Sequence, residues 1–183
     1  VGEGINARAE ITNFWEMVFN PSTVDRLIHT LGGAWLAGAF LVISVSAYYL
    51  LKKRHWEFAQ TSLKIGLSFA LFASFFQLFT GHQSAIGVSE NQPAKLAAFE
   101  AHYDSNRQGD LYLFGWVDSQ NQLVKAGIKF PGMLSYLLFA DANKPMIGLN
   151  SFALQDRPPV NPVFQSYHFM VLIGSLLIFI SLM

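Results

Sequence analysis

DRLIHTLGGAWLAGAFLVISVSAYYLL, Asp25 to Leu51, is the stretch that decides how this chain folds. After Arg26 no Asp, Glu, Lys or Arg occurs until Lys52, which leaves the 25 residues 27–51 without a formal charge. At about 1.5 Å rise per residue, such a helix covers a hydrocarbon core of roughly 30 Å. It carries one histidine, His29, near its start. A titratable ring inside a bilayer is costly, so it marks a candidate functional site. The plainer reading is helix–helix packing with the ring bonded to a neighbour. Gly32, Gly33, Ala34, Ala37, Gly38 and Ala39 make part of this helix surface small, which permits close approach of another helix or of a flat ligand. Gly33 lies one turn beyond His29 on the same face and clears room beside the ring.

The remaining composition agrees with a membrane protein. Of 183 residues, 52% are hydrophobic and only 13% charged, against about a quarter charged in soluble domains. The apolar residues come in blocks separated by a polar insert, as spans do. A formal net charge of zero implies no bulk attraction to nucleic acid. With no cysteine, disulfides, thiolate metal sites and the C-x-x-C-H attachment of c-type haem are excluded. No signal peptide opens the chain, and Met183 closes it inside an apolar run. The expectation is a piece of something longer or a split subunit.

Taken in order, residues 1–23 form a lead-in. Ile11, Phe14, Trp15, Val18 and Phe19 make one stripe of a short helix between Glu10 and Phe19, suited to an interfacial position or to packing on the protein itself. Asn20-Pro21-Ser22 breaks the chain, with Ser22 or Thr23 as N-cap of the first span, residues 24–51. Lys52-Lys53-Arg54-His55 opens a basic turn, 52–64, and a second span follows at 65–80. The positive-inside rule puts that turn in the cytoplasm, and His29 and the insert 81–161 on the outer side. The insert reads as a helix from Pro93 to Tyr103, strands at Leu113–Trp116 and Gln122–Phe130, and a short apolar helix from Pro131 to Ala140. A third span, 162–183, contains His168 and Met170.

Met170 lies about eight residues inside the third span and His29 about five inside the first, so their depths differ by only about 5 Å. An imidazole and a thioether at matched depth on two helices can be the axial pair of a low-spin b-type haem. Met in an apolar helix is also a common gap-filler. His168 and Met170 are about 200° apart round a helix and cannot both face one iron.

The chain resembles subunit I of the cytochrome bd-type quinol oxidases, in its middle-to-late part and with a short quinol loop. The resembling residues are Phe14-Trp15 through Asn20-Pro21-Ser22, Leu27-Ile28-His29-Thr30, Ser46 to Lys52, Lys95-Leu96-Ala97-Ala98-Phe99-Glu100, Leu113-Phe114-Gly115, Ile147-Gly148-Leu149 and Phe169-Met170-Val171. They run colinearly over roughly residues 7–183. The resemblance implies that His29 and Met170 are the ligands of the low-spin haem b558. It implies that the insert is the quinol-binding loop, and that Lys95 and Glu100 take part in quinol oxidation. Lys95 and Glu100 are five residues apart, about 140° round a helix, so they flank a site rather than pair with each other. Lys95 would bond a quinol oxygen and Glu100 would accept a proton. Many members carry Arg where this chain has His168, a weaker partner for a haem propionate because it is cationic only when protonated. Ligation by His168 in place of Met170 is a minor alternative.

The expected fold is an all-α integral membrane protein. Three transmembrane helices and a mixed extracytoplasmic insert would form part of a larger bundle. The expected function is oxidation of ubiquinol or menaquinol, with electrons passing to the His29/Met170 haem in a prokaryotic cytoplasmic membrane. Subunit II and other parts of the oxidase are the implied partners. Haems b595 and d, which reduce O2, are expected in the complete complex but not on this chain. A quinol-dependent electron-transfer subunit that does not reduce O2, or a haem-free scaffold, are the alternatives.

Overall fold

Asn13 starts the first short helix by accepting, through its side-chain oxygen, the amides of Trp15 and Glu16. In the computed structural model, which describes residues 11–183, this helix (α1) spans Phe14–Val18. The expected stripe thus shrinks to little more than one turn, and Glu10 lies outside the described residues. Helix α2 runs Thr23–Leu51. Ser22 stands at its N-cap, but its hydroxyl donates to Asn20 Oδ1 at 2.9 Å and caps no helix amide.

The basic turn is four residues long. Lys53 and His55 take positive φ (53° and 47°), which reverses the chain, and helix α3 begins at Trp56. It continues to Asn91, so the second span expected at 65–80 sits inside a 36-residue helix. No proline occurs between Pro21 and Pro93, and the polar residues from His82 onward are compatible with helix. Small residues bring α2 and α3 close. Gly32, Ala39 and Ser46 are buried on α2, and Ala59, Gly66, Ala70, Ala73 and Ser74 on α3. A Cβ on Gly66 would meet Ile43 Cγ1 at 3.0 Å.

After Gln92 the chain forms helix α4 (Pro93–Phe99), an antiparallel hairpin of β1 (Leu111–Asp118) and β2 (Leu123–Phe130), and helix α5 (Met133–Phe139). Helix α4 stops short of the expected Tyr103, because Ala101 turns to φ 51°. Helix α6 then runs Val160–Leu182. Helices α2, α3 and α6 are each long and apolar enough to cross a membrane. Their outward faces carry exposed Trp35, Leu41, Phe72, Phe79, Leu172 and Phe179, surface suited to lipid or to further helices.

Two clusters tie α6 to the rest. Leu177 packs on Leu36, Ala39, Ala70 and Ala73. Ten residues earlier, Tyr167 shares with Ile86 and Val88 the cluster of Leu96, Phe99, Leu134, Leu138 and Met146. The start of α6 therefore meets the end of α3 and its later part meets the middle of α3, so α6 runs antiparallel to α3 and parallel to α2. The last turns of α3 and the first turns of α6 are the base on which the insert is built.

Ser135 holds the insert together internally. Its buried hydroxyl accepts the Gly109 amide at 2.8 Å and donates to the Lys144 carbonyl at 2.7 Å. We predict that Ser135→Ala destabilises the insert by about 1–3 kcal/mol, because both backbone groups lose their partner. Faster hydrogen exchange at the Gly109 amide is the check, and unchanged protection there would show that the bond contributes little.

Candidate functional site

His29 faces α3. Its Nδ1 lies 3.0 Å from Thr80 Oγ1 and its Nε2 3.0 Å from Gln77 Nε2. A Cβ on Gly81 would stand 3.4 Å from the ring's Cε1, so this glycine lets the imidazole lie against the α3 backbone. Gly33 borders the Gln77 amide, and Gly32 is tighter still: a Cβ there would meet Gln77 Oε1 at 2.5 Å. Thr80 donates its own proton to the Gln77 carbonyl at 3.3 Å. Sequence reasoning missed Gln77 and Thr80. Their signal was available, since Gln77, Thr80 and Ser84 recur at near-helical spacing along one helix, and polar groups at such depth need partners.

Met170 is reached by interpolation along α6. Tyr167 packs on the cluster that also takes Ile86 and Val88 from the end of α3, and Leu177 packs on Ala70 and Ala73 in its middle. Met170 therefore lies between those two contacts, along the stretch of α3 that holds Thr80. It shares a stripe with Leu177 two turns further on, just as His29 shares one with Leu36. Leu36 and Leu177 belong to one packed cluster. The Met170 side chain is 55% exposed, so its sulfur is not walled in by the chain.

His168 points elsewhere. Its ring is buried, with Nδ1 2.9 Å from the Phe164 carbonyl and Nε2 2.9 Å from the Tyr112 carbonyl, and it stacks on Phe164 at 3.9 Å. The contact to Tyr112 joins α6 to β1, whereas Phe164 belongs to α6 itself. Met170, two residues further on, is exposed where His168 is buried.

Among the described residues no group of three or more His, Asp or Glu side chains could hold a bare metal ion. An iron that brings its own macrocycle needs only two protein ligands. One imidazole nitrogen faced by a flexible amide, and one exposed thioether on a helix parallel to that of the imidazole, fit that requirement.

Lys95 and Glu100 separate sharply. Lys95 is exposed on α4, whereas Glu100, at the end of the same helix, is 1% exposed. Neither carboxyl oxygen of Glu100 has a hydrogen-bond partner within the described chain. Burial pushes its pKa up to about 8, because the charged form loses its hydration. Next to it, Phe99 stacks on Tyr167 at 4.4 Å between ring centres.

Three apolar helices with a folded insert seated on two of them define a multi-span integral membrane protein. The chain belongs to the cytochrome bd terminal oxidase subunit I family, whose description it matches over residues 1–183. It is 31% identical over 152 residues to cytochrome bd-II ubiquinol oxidase subunit 1 of Escherichia coli K12, covering 82% of this chain and 30% of that protein. It is 31% identical over 187 residues to cytochrome bd ubiquinol oxidase subunit 1 of Bacillus subtilis 168, covering 97% of this chain and 40% of that protein. The solved bd oxidase of Geobacillus thermodenitrificans superposes with a TM-score of 0.81 at 27% identity, over 91% of this chain and 38% of that one. The chain thus spans 30% to 40% of the length of these relatives.

Glu100 gives a pH prediction. The folded state holds its proton more tightly than the unfolded chain does. Its contribution is therefore largest below the ordinary value of 4.5, declines as pH rises toward about 8 and is gone above it. Wild-type insert should lose protease resistance between pH 6 and pH 9, while Glu100→Gln should hold it. Parallel pH profiles for the two proteins would show that Glu100 is not the group responsible.

Proposed function

We propose that this chain contributes the quinol-oxidising site and a haem seat to a cytochrome bd-type oxidase of a prokaryotic membrane. The observation that carries this reading is that α2 and α6 run parallel and pack together at Leu36 and Leu177, residues two turns beyond His29 and Met170 on the same stripes. The two residues would hold a low-spin b haem, which supplies one-electron redox chemistry when bound; methionine opposite histidine favours a raised potential.

The insert is the quinol-binding part in this reading. A quinol loses two protons as it loses two electrons, so a proton acceptor must lie within reach of its hydroxyl. Glu100 is suited to that task, since a carboxyl with pKa near the working pH takes up a proton readily and can pass it on. Lys95, at the exposed side of α4, would present its ammonium to the other oxygen. His168 joins α6 to β1 and is not assigned a ligand role. Relatives named as ubiquinol oxidase subunits support a quinol as substrate. The basic turn at Lys52–Arg54 supports an extracytoplasmic insert. Electrons taken from quinol would serve reduction of O2 to water in the assembled oxidase.

Two substitutions test this. His29→Ala should abolish the sharp α-band of reduced low-spin haem in membranes, with the protein still inserted; a surviving band would remove His29 as ligand. Glu100→Gln should slow quinol oxidation by roughly 10²-fold or more while that band stays in place. A lost band with normal turnover per haem would instead mark Glu100 as structural.

A further inference from the structure

The two nitrogens of His29 meet neighbours of different kinds. Nδ1 faces Thr80 Oγ1 at 3.0 Å, and that hydroxyl directs its own proton to the Gln77 carbonyl at 3.3 Å. The oxygen of Thr80 is therefore the acceptor of Nδ1–H, and Nε2 is left with a lone pair. Thr80 is 7% exposed and β-branched on a helix, so its oxygen has little freedom to leave. Nε2 faces only the Gln77 amide at 3.0 Å, the end of an unbranched, rotatable side chain. The other atom of that amide, Oε1, is buried with no hydrogen-bond partner among the described residues. Gln77 thus fills the space beside Nε2 at the cost of an unsatisfied oxygen, whereas Thr80 makes a complete two-bond relay.

We propose that Thr80 is the positioning residue of the haem ligand. It accepts the Nδ1 proton of His29, fixes the tautomer with Nε2 free to bind iron, and strengthens that nitrogen as a donor. Gln77 is the placeholder that withdraws when Nε2 is taken. The assignment rests on His29 being a haem ligand, as proposed above. A hydrogen bond accepted from the ring N–H makes imidazole more basic and favours the oxidised iron. Removing the acceptor therefore shifts the midpoint potential upward.

The test is a redox titration of the low-spin haem, with low-temperature EPR of its oxidised form, in membranes containing the protein. Thr80→Val keeps the side-chain shape and deletes the acceptor; its potential should rise and its EPR g-values should move. Thr80→Ser, which keeps the oxygen, should match wild type. Gln77→Leu should also match wild type, because the amide no longer touches Nε2 in the ligated state. Unchanged potential and g-values in Thr80→Val overturn the assignment, as does a shift in Gln77→Leu without one in Thr80→Val. His29→Ala separates the two claims. Low-spin haem that survives it overturns the ligand reading. Haem lost there, with Thr80→Val unshifted, overturns only the role of Thr80.

Discussion

The structure depends on a polar problem solved inside an apolar layer. A histidine placed five residues into a membrane helix loses most of its water, and unbonded ring nitrogens there are expensive. Here His29 finds both partners on α3, at Thr80 and Gln77. Those bonds form only if the two backbones come close; Gly32 and Gly33 make room for the Gln77 side chain, and Gly81 lies beside the ring. The close pairing of α2 and α3 and the seating of the imidazole are thus one constraint met by one set of residues.

Helix α3 carries that constraint beyond the apolar layer. Its 36 residues span about 54 Å at 1.5 Å each, well over the roughly 30 Å of hydrocarbon. The excess emerges as a post, and Ile86 and Val88 on it pack against the cluster that anchors α4 and α5. Helix α6 contributes Val163 and Tyr167 to the same cluster. The insert therefore inherits its position from the two helices that also set the height of Met170. The extension of α3 thus joins α5 and α6 in burying Leu96 and Phe99 of α4, next to which Glu100 is held out of water.

Much of this was readable in the chain itself. The span around His29 shows as an uninterrupted uncharged run, and it forms one helix from Thr23 to Leu51. The hairpin showed in its aromatic and β-branched runs, although its ends shifted by a residue or two. The extension of α3 was not readable, because polarity from His82 onward looked like a loop, and polarity alone does not break a helix. Burial of Glu100 was hidden for a related reason. Lys95 and Glu100 look equally polar in sequence, and only the cluster beneath α4 decides that one faces water and the other does not. Thr80 and Gln77 were visible as polar residues in an apolar helix, but their partner sits 48 and 51 residues away.

The proposed electron and proton chemistries are close in space for a reason that follows from α6. Tyr167 and Met170 are three residues apart on that helix, one turn and about 4.5 Å of rise, and they share a face. Tyr167 stacks on Phe99, and Phe99 is bonded through the backbone to Glu100. A quinol held against Glu100 would thus sit about one helical turn above the sulfur proposed to ligate iron, with aromatic rings between. Its protons would leave through the insert, where Glu100 is buried, while its electrons would pass to the residues proposed to hold the haem on the spans α2 and α6.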